Sequence, residues 1–385
     1  MAKTVFNSDT TLLCTTGIID RAEREKDFRK IWPEMEKLYA NGDPSLFRKF
    51  SFFVYRSFNE RFLEGRTPRQ HFYQLKNYFD FFMSDLAPIS DNSGLGGLPG
   101  ALVNVKPPLD KSLPSVEKRM ASTGIMIHAA DSPFIFENIG GYLNMTERYI
   151  FSSIHPVMTV RREHGRVVDI LPPEEEGKKE VFIKFVIRKL VNPKDIKKLE
   201  SEIISILNAL YLSVYDFGRM TEETSKLQIE LCRDRQDRKD APEIAEFLKW
   251  LVPQNFIFMG MTRFDVVKRK GGAHLAERNE SRMGVYRDRE LMNTVYPGLA
   301  EEIEERILKT LHVREVMALD FLLNSPSIIY NPVAVDAMII RQHAKDDVPL
   351  SVTVLLGRLA RGALTSRSSD IPILRKKLDG ILRAE

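Results

Sequence analysis

Between Ile125 and Ile170 the sequence IMIHAADSPFIFENIGGYLNMTERYIFSSIHPVMTVRREHGRVVDI switches hydrophobic period twice, and few folds accommodate that order. Ile125, Met126 and Ile127 form an apolar run ending in His128, and Asp131-Ser132-Pro133 offers residues that stop a strand and start a helix. Phe134, Glu137, Asn138 and Leu143 continue at helical spacing, weakened by Gly140-Gly141. Glu163-His164-Gly165-Arg166 then turns a hairpin between Met158–Arg162 and Val167–Leu171. Glu180–Leu190 adds a strand with Val181, Ile183, Phe185 and Ile187 on one buried face. Asn192-Pro193 opens a helix whose stripe is Ile196, Leu199, Ile203, Leu207, Leu210 and Val214.

Strand, helix, hairpin, strand, helix is the order of a ferredoxin-like unit, an antiparallel sheet with its helices on one face. Its last strand carries no signal here. Upstream, Phe28, Ile31, Met35 and Leu38 share a helical face, and Pro33 predicts a break or kink. Asp43–Leu63 and Pro68–Leu86 carry Phe47, Phe50, Val54, Phe58 and Phe62, then Phe72, Leu75, Phe79 and Phe82, all at helical spacing. They predict a helical hairpin joined at Glu64-Gly65-Arg66, its aromatic stripes packing a core rather than a cofactor. Pro88–Pro114, rich in glycine, proline and serine, reads as a linker or long loop. Its GLGGLPG has no strand before it or helix after it and has Pro99 where a dinucleotide fingerprint needs glycine.

Beyond the charged boundary Arg233–Asp240, Asp240 and Glu243 are spaced as a capping box before the stripe Ile244, Phe247, Leu248 and Leu251. Strands are predicted over Asn255–Val267, Leu319–Leu323, Ala334–Arg341 and Leu350–Leu356, with a helix over Leu299–Leu311. A last helix is predicted from Ser368 or Asp370, with Ile371, Leu374, Leu378 and Ile381 on one face. The fold class is therefore α+β, in four parts: a helical segment 1–87, a linker 88–114, a ferredoxin-type module 115–233, and a mixed sheet-and-helix module 240–385.

With 385 residues and 43% hydrophobic content the chain can bury two cores. A formal charge of +4, dispersed along the chain, does not point to nucleic acid. Cys14 and Cys232 stand far apart, which fits a reducing compartment, and no apolar run is long enough for a membrane, so a soluble cytoplasmic protein is expected. There is no Walker loop, HExxH, CxxC or nucleophile elbow, so no catalytic or cofactor-binding residues are expected in this chain. The seven histidines are scattered, never at metal-ligand spacing, so no metal is expected. The strand-to-helix turn is the candidate ligand site: Asp131, Ser132, Pro133, Phe134 and Asn138, with His155 ahead of the next strand. Backbone amides at a helix start can hold a carboxylate and a side-chain acid can hold an ammonium group. Plain helix capping accounts for Asp131 or Ser132 without a ligand.

Asp131-Ser132-Pro133-Phe134, followed by Ile154-His155-Pro156-Val157 and Val160-Arg161-Arg162, resembles the N-terminal region of the large, single-polypeptide NAD-specific glutamate dehydrogenases of bacteria. Glu243–Gly260 (EIAEFLKWLVPQNFIFMG), Thr365–Leu378 (TSRSSDIPILRKKL) and Phe62–Phe72 (FLEGRTPRQHF) resemble further stretches of that region. The resemblance covers most of Leu46–Leu382. It implies ACT-type sensory modules and a PAS-like module ahead of a catalytic domain that these residues do not contain, with NAD bound by that domain. It implies a regulatory or oligomerisation role, an amino acid or related effector, a homo-oligomer, and a dehydrogenase catalytic domain as partner in cis or in trans. A stand-alone amino-acid sensor and a purely structural assembly module are the competing readings.

Overall fold

The computed structural model describes residues 21–40, 43–59, 63, 65–86, 100–106, 122–233, 240–253, 255–269, 272–310, 319–325, 335–343, 349–360, 363, 366–367 and 370–373. The chain divides into two compact units, one of residues 1–89 with 99–204 and the other of residues 90–98 with 205–385.

The first unit opens with three helices, α1 (Arg21–Glu36), α2 (Ser45–Tyr55) and α3 (Pro68–Phe82). α1 runs unbroken through Pro33, which stands in its last turn. α2 ends at Tyr55, short of the predicted Leu63, yet Phe58 beyond it is fully buried. α3 begins where it does because Thr67 and Gln70 cap each other's backbone amides and Pro68 takes the first turn, where its missing N–H costs nothing.

The sheet is antiparallel throughout, in the order β1 (Ala101–Lys106), β2 (Ser122–Ala130), β6 (Lys178–Arg188), β4 (Val157–Glu163) and β5 (Arg166–Leu171); β3 (Ile150–Ile154) also pairs with β6. α4 (Ile135–Met145) follows β2, and α5 (Pro193–Arg233) follows β6. His164 and Gly165 both adopt positive φ, 50° and 82°, so the predicted hairpin closes with a turn whose twist matches its strands. β1 corrects the linker reading of 88–114. It pairs with β2 from Ala101↔Ala129 to Lys106↔Gly124 and fills the edge position that a ferredoxin-like unit gives its last strand. Proline and glycine on either side of this short strand masked it.

β6 was predicted to have one buried face, and both are buried. Phe182 is fully buried in one core with Met126, Met158, Val160 and the aromatic stripes of α1–α3; its ring meets Phe50 at 5.6 Å and Tyr78 at 5.2 Å. On the opposite face Phe185 stacks on Phe136 of α4 at 5.2 Å, among buried Ile125, Ile127, Ile183 and Ile187. The N-terminal helices therefore belong to the same compact unit as the sheet.

The second unit takes the later part of α5, where Met220, Leu227 and Leu231 are buried, then α6 (Ala241–Leu251), β7 (Phe256–Arg269), β8 (Gly272–Glu277), β9 (Met283–Gly284), α7 (Arg289–Val295), α8 (Leu299–Thr310), β10 (Leu319–Ser325), β11 (Val335–His343) and β12 (Pro349–Leu359). Its antiparallel sheet runs β10-β11-β12-β7-β8, with β9 beside β7. All four predicted strands and the helix at Leu299 are present; β8, β9 and α7 were not foreseen. The predicted capping box at Asp240 does not form, because Glu243 turns away to accept the Ile373 amide at 2.8 Å. The last predicted helix lies, from position 374 on, outside the described residues. Among the described residues no helix is long and apolar enough to cross a membrane.

Candidate functional site

The Asp131 amide donates to the Lys179 carbonyl at 2.9 Å, one step beyond the end of β2. The chain then turns through Pro133 and Phe134 into α4. Phe134 occupies the helix N-cap in the left-handed region, φ 70° and ψ 8°, and no side chain caps the helix. The capping role expected of Asp131 or Ser132 is thus not realised. A non-glycine residue held there costs about 1–3 kcal/mol, and such strain concentrates at functional sites.

Asn138, also expected to meet a ligand, braces the turn from behind. It is 1% exposed, its side chain donates to the Phe134 carbonyl at 2.6 Å, and its amide donates to the same oxygen at 3.0 Å. The Ser132 hydroxyl is buried with no hydrogen-bond partner. His155 stacks on Phe136 at 4.1 Å, with ring planes 23° apart. His155 is exposed, yet desolvation by its surroundings, then the charge of Arg21, makes its imidazole harder to protonate, while Asp131 opposes them. Asp131 is exposed, yet the desolvation its surroundings impose pushes its carboxyl up, opposed by Lys179 and His155. The fold thus gathers Asp131, Ser132, Phe134 and His155, adds Lys179 and Phe136, which sequence reasoning missed, and leaves the first-turn amides of α4 without a side-chain cap. Those amides suit a carboxylate.

A second cluster lies on the sheet's other face. Arg162 holds Glu180 in a fork, Nε to Oε1 at 2.7 Å and Nη2 to Oε2 at 2.9 Å, and His128 Nε2 meets Oε2 at 2.6 Å. Phe82 of α3 stacks on the His128 ring at 4.1 Å. Burial alone would raise the Glu180 carboxyl, but Arg162 and His128 outweigh it and hold it at about 2. Burial pushes the His128 pKa down, opposed by Glu180, and its Nδ1 has no hydrogen-bond partner. The three residues are scattered in sequence, so only the strand register reveals them. Among the described residues no three or more His, Cys, Asp or Glu side chains converge as a metal site would require.

Residues 99–203 match the family described as glutamate dehydrogenase, ACT1 domain. The match begins just before β1 and ends within α5, so it takes in the whole first sheet. The NAD-specific glutamate dehydrogenase of Pseudomonas aeruginosa is 23% identical over 271 residues, 68% of this chain and 16% of the relative. That of Halomonas elongata is 27% identical over 172 residues, 43% of this chain and 11% of the relative. This chain is similar to the N-terminal region of the NAD-specific glutamate dehydrogenases. It aligns with about one sixth or less of the length of these curated relatives. The ACT1 match starts at residue 99, not at the sequence-based boundary of 115, because β1 is part of the sheet. The strained Asp131–Phe134 turn and His155 both lie within the ACT1 match.

Proposed function

We propose that this chain is a regulatory region of an NAD-dependent glutamate dehydrogenase and that an amino acid or related effector binds at the Asp131–Phe134 turn. The dehydrogenase reaction, glutamate to 2-oxoglutarate and ammonia, belongs to a catalytic domain acting in cis or in trans, and NAD belongs there too. The observation that carries the reading is the uncapped start of α4 beside the buried, unpartnered Ser132 hydroxyl. The α4 amides and the Ser132 hydroxyl would donate to the effector's carboxylate, Asp131 would accept its ammonium group, and the His155–Phe136 stack would border its side chain. An effector that binds one conformational or assembly state better shifts the population toward that state by its differential affinity. A homo-oligomer is part of the proposal.

The second unit is read as a PAS-like module. Supporting this, its first two strands, β7 and β8, pair beside the last, β12, with helices inserted before β10.

The test is a thermal melt of the full chain against a panel of amino acids. At a hundred times Kd a ligand stabilises by about 2.7 kcal/mol, enough to raise the melting temperature measurably. The shift should vanish in Asp131→Ala and weaken in Ser132→Ala. A panel with no shift, together with a size in solution indifferent to every amino acid, would leave a purely structural assembly role as the better reading.

A further inference from the structure

Two exposed helix faces of this chain carry opposite charge at the same spacing. In the first unit β6 ends at Arg188, and the chain passes through Lys189 and Val191 into α5, whose start is held by the Asn192 side chain accepting the Lys194 amide at 3.0 Å. Val191 is 82% exposed, the most of any large apolar side chain among the described residues. Lys194, Lys197 and Lys198 follow it on one face of α5, all exposed, with Arg188 and Lys189 exposed beside them. Asp195, the one acid from 188 to 198, lies about 100° round the helix from Lys194.

In the second unit α8 carries the converse. Glu301, Glu304 and Glu305 repeat the lysine spacing on its outer side, and Leu308 continues that face and is 40% exposed. The pairs these side chains make at home lie at the surface: Lys198 with Glu202 at 4.0 Å, Glu301 with Arg289 at 3.9 Å, and Glu305 with Lys309 at 2.5 Å. Exposed pairs of this kind hold their partners weakly and leave them able to pair elsewhere.

The sequence also selects a register. From Val191 to Lys198, and from Glu301 to Leu308, the chain advances the same seven positions, about 10 Å of helix. One antiparallel alignment sets Val191 against Leu308, Lys194 against Glu305 and Lys198 against Glu301. Sliding α5 by one turn puts Lys194 against Lys309 in one direction and Lys198 against Pro297 in the other. A parallel alignment pairs the same charges but sends Val191 and Leu308 to opposite ends.

We infer that the Val191–Lys198 segment of one copy docks antiparallel on α8 of a second copy, with Val191 on Leu308 and Lys194 and Lys198 on Glu305 and Glu301. The two surfaces differ, so the contact runs head to tail, and the assembly closes into a ring or extends. Its footprint is a few helical turns, which makes it weak and sensitive to salt. It supplies a surface for the homo-oligomer proposed above and rests on that part of the reading alone; effector binding at Asp131 is independent of it.

The test is sedimentation velocity of the full chain at about 50 mM and about 500 mM salt. Association should be at least tenfold weaker at the higher salt. Lys194→Glu with Lys198→Glu should lose the low-salt species, as should Glu301→Lys with Glu305→Lys, while circular dichroism stays native. An equimolar mixture of these two paired variants should regain it, because the acidic tip of one then meets the basic α8 of the other. Within one chain, Lys194→Glu with Glu305→Lys should restore association and Lys194→Glu with Glu301→Lys should not. The inference is overturned if salt has no effect, if either paired reversal associates as the wild type does, or if the mixture stays apart. Restoration by Lys194→Glu with Glu301→Lys would overturn the antiparallel register. An oligomer that persists in every variant would keep the homo-oligomer and remove this contact from it. Binding of the wild type to phosphatidylserine vesicles without self-association would give the basic tip to a lipid surface and overturn the inference as well.

Discussion

Replacing Glu180 by glutamine probes the buried cluster of the first unit with almost no change in volume. In the native chain the carboxylate, 4% exposed, accepts two Arg162 donors and His128 Nε2. Glutamine offers Arg162 one neutral acceptor and turns an amide donor toward His128, so a charge-paired site becomes a mismatched one. Breaking a buried pair in this way costs about 3–5 kcal/mol. Protonation gives an independent measure. The folded carboxyl titrates at about 2 against an ordinary 4.5, which at ~1.4 kcal/mol per unit corresponds to about 3 kcal/mol. The unfolded state takes up this proton first on acidification. The stabilisation is therefore complete above about pH 5 and is lost as the pH falls toward 2. The chain has two tryptophans, and Trp32 lies in the same core as Phe182, so a Trp250→Phe background makes fluorescence report this unit alone. Urea unfolding of that background with and without Glu180→Gln should differ by about 3 kcal/mol or more at pH 7, and the difference should narrow by about 2 kcal/mol by pH 3 and close only below pH 2. A difference that stays constant from pH 6 to pH 3 would refute the role given to this carboxylate.

Gly284→Ala must place a Cβ 2.2 Å from the Met259 carbonyl at a positive φ; we expect loss of more than 3 kcal/mol or failure of the second unit to fold, seen by circular dichroism and Trp250 emission. Asp216→Asn turns a donor toward the Gly284 amide and Arg287 and should cost about 3 kcal/mol in a urea melt followed at Trp250. His71 is 3% exposed, and burial, aided by Arg66, lowers its pKa to about 4. The unfolded chain is protonated first as pH falls through 6.5, so stability should drop by about 1.4 kcal/mol per unit between 6.5 and 4; His71→Gln should flatten that slope in urea melts of the Trp250→Phe background followed at Trp32.

The parts legible in the sequence were those with a local period or a local turn. The Glu163–Arg166 hairpin, the α5 stripe and the four predicted strands of the second unit all show a pattern within a few residues along the chain, although β7 pairs with β12 some ninety residues away. β1 was hidden because six residues among proline and glycine carry too little pattern, and only pairing with β2 makes them a strand. Phe182 and Glu180 looked like the outer face of β6, since nothing in a strand's own period reveals that distant helices cover its second side. At the candidate site, residue types placed Asp131 and Ser132 correctly at a strand-to-helix turn but suggested a cap. The backbone put Phe134 at the N-cap instead and left Ser132 unpaired. Lys179 and Phe136 joined the site through strand register and helix face, which one sequence does not expose.

The edge strand β1 has a consequence for synthesis. In the usual ferredoxin-like order the strand beside the first is made last, after the second helix, so the first strand would leave the ribosome with one row of amides and carbonyls unpaired. Here residues 101–106 emerge before residues 122–130, and at roughly 5–20 residues per second the partner precedes the strand it shields by about a second or more. The nascent ACT1-type sheet can therefore guard one edge from the start, at the stage when an open edge invites pairing with a neighbouring chain.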